Sequence, residues 1–215
     1  MALLHRAQLT PSKIELVSAW APTQSWFPGG ATSALTSVAS YRYDDPDGEV
    51  GIETLIVRVA DGPLLQVPLT YRATPLASAT ESLIGTTEHS VLGTRWVYDA
   101  TADPVYLTAV SAAAFTGGVQ ADEYFEVDGE RVARDSSARV TGSGHPGATV
   151  PSSAGTISTR HDAATTAVEA GGIRVVVARV LDGATGPEGT GQQSLAGTWP
   201  EQPEPRPLVW VSVLS

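Results

Sequence analysis

The alternation of apolar and polar residues predicts β-strands over much of the first half of the chain. Residues 35–43 alternate loosely, and residues 49–59 and 64–72 are two runs rich in β-forming residues. Ala60-Asp61-Gly62-Pro63 lies between the last two runs and is typical of a short turn, so an antiparallel hairpin is predicted. Pro68 cannot donate a ladder hydrogen bond, which indicates an edge position or a bulge for the second run.

Other segments of the first half carry weaker patterns. Residues 13–20 form a short β-like run, and residues 22–31, with two prolines and two glycines, are typical of a loop. The stretch DDPDGE at residues 44–49 predicts a turn, with Asp47-Gly48 as its tight part. Residues 73–93 are interpreted as a long polar connection.

The strongest helix pattern runs from about residue 103 to residue 115. Asp103 can cap the N-terminus, and Pro104 fits the first helical position, where its missing N–H costs nothing. Gly117-Gly118 supplies a stop. The apolar residues at helical spacing are Leu107, Val110, Ala113 and Ala114.

The second half of the chain has the pattern of an all-β region. Two hairpins are predicted, with turns at Asp128-Gly129 and Gly171-Gly172. Residues 142–156 and 182–207 are rich in polar, glycine and proline residues and are interpreted as loops. The last apolar run, LVWVSVL, predicts a terminal strand that is buried or half-buried.

Together these elements predict an α+β fold in two parts. Residues 1–120 would form an antiparallel β-sheet with a packed helix, and residues 121–215 a second, mostly β subdomain. No internal repeat is visible.

Composition limits the compartment and the partners. The chain has 215 residues, of which 42% are hydrophobic and 17% charged, values typical of a protein with a packed core. Its net charge of −10 makes nucleic acid and anionic membrane surfaces poor partners. Cysteine is absent, so disulfides and thiolate metal sites are excluded. Without a secretory pattern or a long apolar run, the sequence predicts a cytoplasmic protein.

The common catalytic motifs are absent from the sequence. The only lysine, Lys13, lies in PSKIE, outside any phosphate-binding GxxxxGK[ST] loop. No G-x-S-x-G nucleophile elbow is found. The acidic stretch at residues 44–49 lacks the spacing of a calcium loop, so a turn explains it better. We therefore expect no cofactor, no metal and no catalytic residue.

Three residues remain as candidate contacts with a ligand or a partner: Trp26, His89 and Trp199. The two tryptophans lie in loops flanked by proline or glycine, and indole faces can stack on sugar rings, although hydrophobic core is the more common role. His89 lies in a segment rich in polar groups. The other histidines, His5, His145 and His161, are interpreted as surface or loop residues.

One ordered set of short motifs resembles the N-terminal cap of bacterial maltokinases. The set consists of Gln66-Val67-Pro68-Leu69, Ile84-Gly85, Val97-Tyr98-Asp99-Ala100 and Asp103-Pro104, and the likeness extends over about residues 10–120. The resemblance implies a cystatin-like cap, in which an antiparallel sheet packs on a helix. Full-length relatives continue into an intermediate β subdomain and a helical lobe, and phosphorylate maltose or other sugars with ATP and magnesium.

The same resemblance extends more weakly to residues 121–215. The hairpin TTAVEAGGIRVVVARVL is similar to the strand pair that carries the ATP-contacting lysine of the family. Ala178 or Arg179 stands where that lysine would fall, and the forked guanidinium of arginine does not replace lysine at a phosphate site without changing the geometry. None of the 215 residues resembles the helical lobe that carries the catalytic Asp and the metal ligands, so we expect no counterparts of the family's catalytic residues among them.

These observations favour a non-catalytic cap-like protein. It would act as a partner, regulator or binding module in sugar, trehalose or glycogen metabolism. A first alternative is a carbohydrate-binding module that uses the loop aromatics. A second is a degenerate sugar kinase fragment that needs a second chain for activity.

Overall fold

The computed structural model describes residues 2–4, 7–30, 33–127, 130–187 and 191–214. Their strands form two antiparallel six-stranded sheets and one small three-stranded sheet. The predicted turn Asp128-Gly129 and His5 lie outside the described residues. Within them, neither α-helix has the length and apolar character needed to cross a membrane.

The elements follow one another along the chain in this order. They are β1 (Ala2–Leu4), β2 (Leu9–Thr10), α1 (Lys13–Trp20), β3 (Leu35–Tyr43), β4 (Gly51–Val59), β5 (Leu64–Arg72), β6 (Leu83–His89), β7 (Gly93–Asp99), α2 (Pro104–Thr116), β8 (Glu123–Val127), β9 (Glu130–Arg134), β10 (Arg139–Gly142), β11 (Ser158–His161), β12 (Thr165–Ala170), β13 (Ile173–Ala178), β14 (Gln193–Trp199) and β15 (Gln202–Val213).

The first sheet has the strand order β2-β6-β7-β5-β4-β3. The predicted hairpin is confirmed, because β4 and β5 pair antiparallel from Gly51↔Tyr71 to Arg58↔Leu64. The predicted turn after β3 is also confirmed: the Asp45 carboxylate accepts hydrogen bonds from the backbone N–H groups of Asp47, Glu49 and Val50.

Pro68 lies in an interior strand, contrary to the predicted edge or bulge. The N–H of Gln66 points away from β4 and donates to the carbonyl of Arg179, and the nitrogen of Pro68, two residues on, faces the same side. The ladder with β7 begins only at Leu69, opposite Asp99. Pro68 therefore falls in a gap between two sets of bonds, where no donor is required.

Residues 13–20 are the helix α1, so the β-like interpretation of this segment was wrong. Ser12 and Glu15 form a capping box, in which the Ser12 side chain accepts from the Glu15 N–H and the Glu15 carboxylate accepts from the Ser12 N–H. This S-x-x-E pattern satisfies the first donors of the helix and outweighs the apolar run. Leu16 and Val17 are buried in the cluster on the outer face of the first sheet.

The helix α2 begins and ends as predicted. Asp103 caps it, Pro104 occupies the first turn, and Gly117 ends it with a left-handed φ of 69°. The predicted packing on the sheet of residues 1–120 is only part of its environment. It contacts β10, β14 and β15 of the second sheet, and its buried residues belong to a cluster shared by both sheets.

Two whole strands, and the first residues of β15, lie in segments interpreted as loops. β6 falls within residues 73–93 and β14 within residues 182–207. Both are rich in small or polar residues, and most of their side chains are only partly buried. The alternation that would mark a strand is weak for that reason, and their strand conformation depends on neighbours distant in sequence.

The second sheet has the order β10-β14-β15-β13-β12-β11. The hairpin of β12 and β13 turns at Gly171-Gly172 as predicted, and the terminal run lies within the interior strand β15. The other predicted hairpin, β8 and β9, joins β1 in the small sheet, where β1 runs parallel to β8.

The larger hydrophobic cluster contains residues of both halves of the chain. Tyr41 and Ile52 of the first sheet share it with Leu107 of α2 and with Val177 and Val209 of the second sheet. The fold is therefore α+β in the broad sense, with antiparallel sheets dominating. The division of the chain at residue 120 stays a prediction.

The end of α2 is fixed by main-chain contacts with the segment that follows β10. Gly144 and His145 donate their N–H groups to the carbonyls of Ala114 and Phe115. A Cβ atom at Gly144 would lie 1.9 Å from the Phe115 carbonyl oxygen. Glycine is thus required by the close approach of two backbones.

Replacing Gly144 by Ala is expected to lower the free energy of unfolding by about 2 kcal/mol or more, because the helix end and the loop must move apart. Chemical denaturation measures this change. Gly30→Ala is the matched control, since a Cβ there meets nothing within 4 Å, and it should change stability by less than about 0.5 kcal/mol. Equal effects of the two substitutions would contradict the packing described.

Candidate functional site

Gln66 is the polar residue at the centre of the contact between the two large sheets. It is fully buried on β5. Its Nε2 donates to the carbonyls of Ala178 (3.0 Å) and Leu208 (2.9 Å), and its Oε1 accepts from the hydroxyl of Tyr41 (3.0 Å). A buried amide satisfied in this way ties the first sheet to β13 and β15, because leaving any of these partners unpaired is costly.

A buried ion pair lies beside Gln66. Asp99 ends β7, and its carboxylate lies 2.5 Å from the guanidinium of Arg179, which directly follows β13. The other carboxylate oxygen accepts from the N–H and the hydroxyl of Thr101. The negative charge comes from the first half of the chain and the positive charge from the second, so the pair joins the two halves.

The side chain of Arg179 is completely buried. Its exposed fraction is 0%, its Nε donates to the hydroxyl of Thr166 at 2.7 Å, and its guanidinium lies 4.9 Å from the centre of the Trp26 ring. The Nη1 atom has no hydrogen-bond partner among the described residues. Arg179 is one of the two positions at which the maltokinase resemblance would put a lysine that contacts ATP; the other, Ala178, is equally buried.

A second ion pair fixes the start of α2. The guanidinium of Arg72, at the end of β5, makes two hydrogen bonds of 2.7 Å each to the Asp103 carboxylate. Asp103 also accepts from the N–H of Val105 as the helix cap. One buried carboxylate thus serves both the helix and the sheet.

A third charged group lies at the α1 side of the first sheet. The buried carboxylate of Glu53 lies 2.6 Å from Lys13 and 3.7 Å from Arg42, and accepts from the Tyr71 hydroxyl. Burial alone would raise the pKa of Glu53, but the two cations and the hydrogen bonds from Lys13 and Tyr71 together hold it below its usual value of 4.5. The only lysine of the chain is committed to this structural contact.

The predicted contact residues are dispersed in the fold. Trp26 is 1% exposed and belongs to the cluster on the outer face of the first sheet, whereas Trp199 is 4% exposed and belongs to the larger cluster. A sugar ring has no access to either indole face unless neighbouring side chains move. The assignment of these residues as ligand or partner contacts stays a prediction.

Two of the described histidines, His89 and His161, each end a strand. His89 ends β6, and its Nδ1 accepts from the N–H groups of Val91 and Leu92 in the turn to β7. His161 ends β11 with its Nδ1 2.9 Å from the Thr166 hydroxyl, and burial followed by the charge of Arg179 lowers its pKa. Among the described residues, no group of His, Asp or Glu side chains is arranged to hold a metal ion.

A surface groove of about 380 Å³ lies between the start of α2 and the loop after β10. Pro104 and Thr108 line it from the helix, and Val150, Pro151 and Ser153 line it from the loop. The groove contains none of the predicted contact residues, and sequence patterns gave no signal for it because its two walls are distant in sequence.

Comparison with known families agrees with the motif resemblance. Residues 20–103 match the family model of the maltokinase N-terminal cap domain. This range contains Gln66, Asp99 and Asp103. No curated protein matches the chain.

Asp99→Asn and Arg179→Met are each expected to lower the free energy of unfolding by about 3–5 kcal/mol, because each leaves the other partner buried without its counter-charge. The double variant should lose at least about 1 kcal/mol less than the sum of the singles. Denaturant titration of the four proteins gives the coupling energy. The exposed pair Arg58–Glu201 is the control, and R58M with E201Q should show coupling below about 1 kcal/mol. Additive losses at Asp99 and Arg179 would contradict the buried pairing.

Glu53→Gln is expected to destabilise the protein most near neutral pH. The lowered pKa means that the carboxylate adds stability above 4.5, and that this contribution disappears as the pH falls from 4.5 through the folded-state pKa. The difference between wild type and variant should therefore shrink below about pH 4 in thermal unfolding measurements. Glu204→Gln, at an exposed position, is the control and should leave a small, pH-independent difference. A difference that grows at low pH would refute the role of Glu53.

Proposed function

We propose that this chain, which carries a maltokinase N-terminal cap domain over residues 20–103, is a non-catalytic cap-like protein of sugar, trehalose or glycogen metabolism. It acts there as a partner, regulator or binding module. The observation that carries the proposal is the burial of Arg179 in an ion pair with Asp99 of the cap. The proposal includes a cystatin-like arrangement for the cap and a cytoplasmic location.

A cation that binds nucleotide phosphates must be reachable by the nucleotide. Arg179 is enclosed by Trp26, Thr166 and Asp99. Withdrawing it would leave Asp99 buried without a counter-charge, at a cost of about 3–5 kcal/mol. ATP binding at this position would therefore break the Asp99–Arg179 ion pair and destabilise the fold.

The residues that define the cap resemblance have structural partners inside the chain. Gln66 bonds the main chain of the second sheet, Asp99 bonds Arg179, and Asp103 bonds Arg72 and caps α2. Because these motif residues are bonded within the fold, contacts with other molecules would be made by other residues, on the surface of the protein. The net charge of −10 favours a protein partner or an uncharged sugar over nucleic acid.

The purified protein is expected to release no ADP above background from ATP and magnesium, with maltose or glucose as acceptor. Arg179→Lys places the family's residue type at one of its two candidate positions but keeps it buried, so the variant should be equally inactive and should bind no ATP–magnesium in calorimetry. Millimolar maltose should leave the contribution of Trp26 and Trp199 to the fluorescence unchanged, because both side chains are buried. ADP release by either protein would overturn the proposal.

The partner role is tested separately by direct binding. The immobilised protein is presented with purified maltose, trehalose and glucan enzymes from the same organism. We expect one of them to bind and to change its kcat/KM in the complex. An unrelated acidic protein of similar size controls for charge alone. Failure of all these enzymes to bind would contradict the partner role.

A further inference from the structure

The strand β9 (Glu130–Arg134) forms one edge of the small sheet β1-β8-β9. Its inner side pairs antiparallel with β8 from Glu123↔Arg134 to Val127↔Glu130. No backbone hydrogen bond reaches its outer side from the rest of the described chain. All five residues of β9 are exposed, including the aliphatic Val132 at 48%. An edge of this kind presents unpaired N–H and C=O groups to any extended segment.

Opposite charges lie at equal distances on either side of Val132 in β9. Glu130 and Arg134 lie two residues before and after it and share its face of the strand. If two copies of β9 pair antiparallel about Val132, Glu130 of each copy lies opposite Arg134 of the other. Val132 then faces its own equivalent, and Arg131 lies opposite Ala133, so no like charges meet directly.

We propose that β9 is a self-association surface, at which a second copy of this chain adds its own β9 in antiparallel register about Val132. The small sheets of the two copies then form one continuous six-stranded sheet with two-fold symmetry. This inference is independent of the proposed function, because it concerns the contact between copies and not the metabolic partner.

The contacts within one copy leave this surface available. Glu130 has no ion pair among the described residues, and Arg134 lies 3.9 Å from Glu123, beyond hydrogen-bond distance. The guanidinium of Arg134 lies 5.9 Å from the centre of the Phe125 ring and its side chain is 53% exposed. Glu130 can thus turn towards a second strand without breaking an ion pair, and Arg134 can do so by exchanging its long contact with Glu123 for a closer one across the new pair.

The dimer should be weak. An edge of five residues buries less than the roughly 1,000 Å² typical of stable interfaces, and each copy carries a net charge of −10 that repels the other. At an ionic strength of about 0.15 M, screening over about 8 Å reduces the overall repulsion but acts less on directly opposed charges. Self-association should therefore become measurable only at high protein concentration.

Sedimentation equilibrium over a wide concentration range is the test. The wild type is expected to shift reversibly from monomer to dimer. Glu130→Arg and Arg134→Glu each place like charges opposite each other in the symmetric pair, so each variant alone should dimerise at least tenfold more weakly. Glu81→Arg changes the net charge of the chain as Glu130→Arg does, at an exposed position outside β9, and should dimerise as well as wild type.

Mixing the two β9 variants gives the decisive measurement. In the mixed pair, the arginine introduced at position 130 of one variant lies opposite the glutamate introduced at position 134 of the other. The unchanged Arg134 of the first variant lies opposite the unchanged Glu130 of the second, so heterodimers should form with close to wild-type affinity. Circular dichroism confirms that each variant is folded. A wild type that stays monomeric at every concentration, or variants that fail to complement each other when mixed, would overturn the inference.

Discussion

The fold depends on the polar contact between its two large sheets, where Gln66 and the Asp99–Arg179 pair are fully enclosed. Hydrophobic burial draws the sheets together without fixing their relative position. Buried donors and acceptors do fix it, since each must find its partner in the dry interior. Gln66 bonds two carbonyls of the second sheet, and Asp99 bonds the guanidinium of Arg179, which directly follows a strand of that sheet. These hydrogen bonds therefore fix the position of one large sheet relative to the other.

The same contact explains the behaviour of the neighbouring proline. Pro68 interrupts the outer hydrogen-bonding side of β5 at the point where the strand passes from its bond with Arg179 to its ladder with β7. The motif Gln66-Val67-Pro68-Leu69 thus combines a side chain whose hydrogen bonds are all satisfied with a residue at a position where no backbone donor is required. On this side, β5 bonds first to Arg179 of the second half of the chain and then to β7 of the first half.

Sequence patterns predicted the elements whose signals are local. The cap and stop of α2, the β4–β5 hairpin and the Gly171-Gly172 turn depend on residues adjacent in the chain, and the structure confirms them. The capping box of α1 is equally local, but the apolar run that follows it favoured a β-strand interpretation instead. β6 and β14 could not be recognised, because small polar residues adopt a strand there only beside distant neighbours. The motif around Asp99 was visible in the sequence, but its partner Arg179 lies 80 positions away.

The commitment of Lys13 to Glu53 has a consequence for regulation by covalent modification. Acylation of lysine side chains is a general means of adjusting proteins, and it acts by cancelling a positive charge. Across these 215 residues, Lys13 is the only side chain on which that chemistry can act. Its ammonium group balances a carboxylate that burial would otherwise penalise. An acyl group at this position would leave Arg42, 3.7 Å away, as the cation beside Glu53, and would weaken the attachment of α1 to the first sheet.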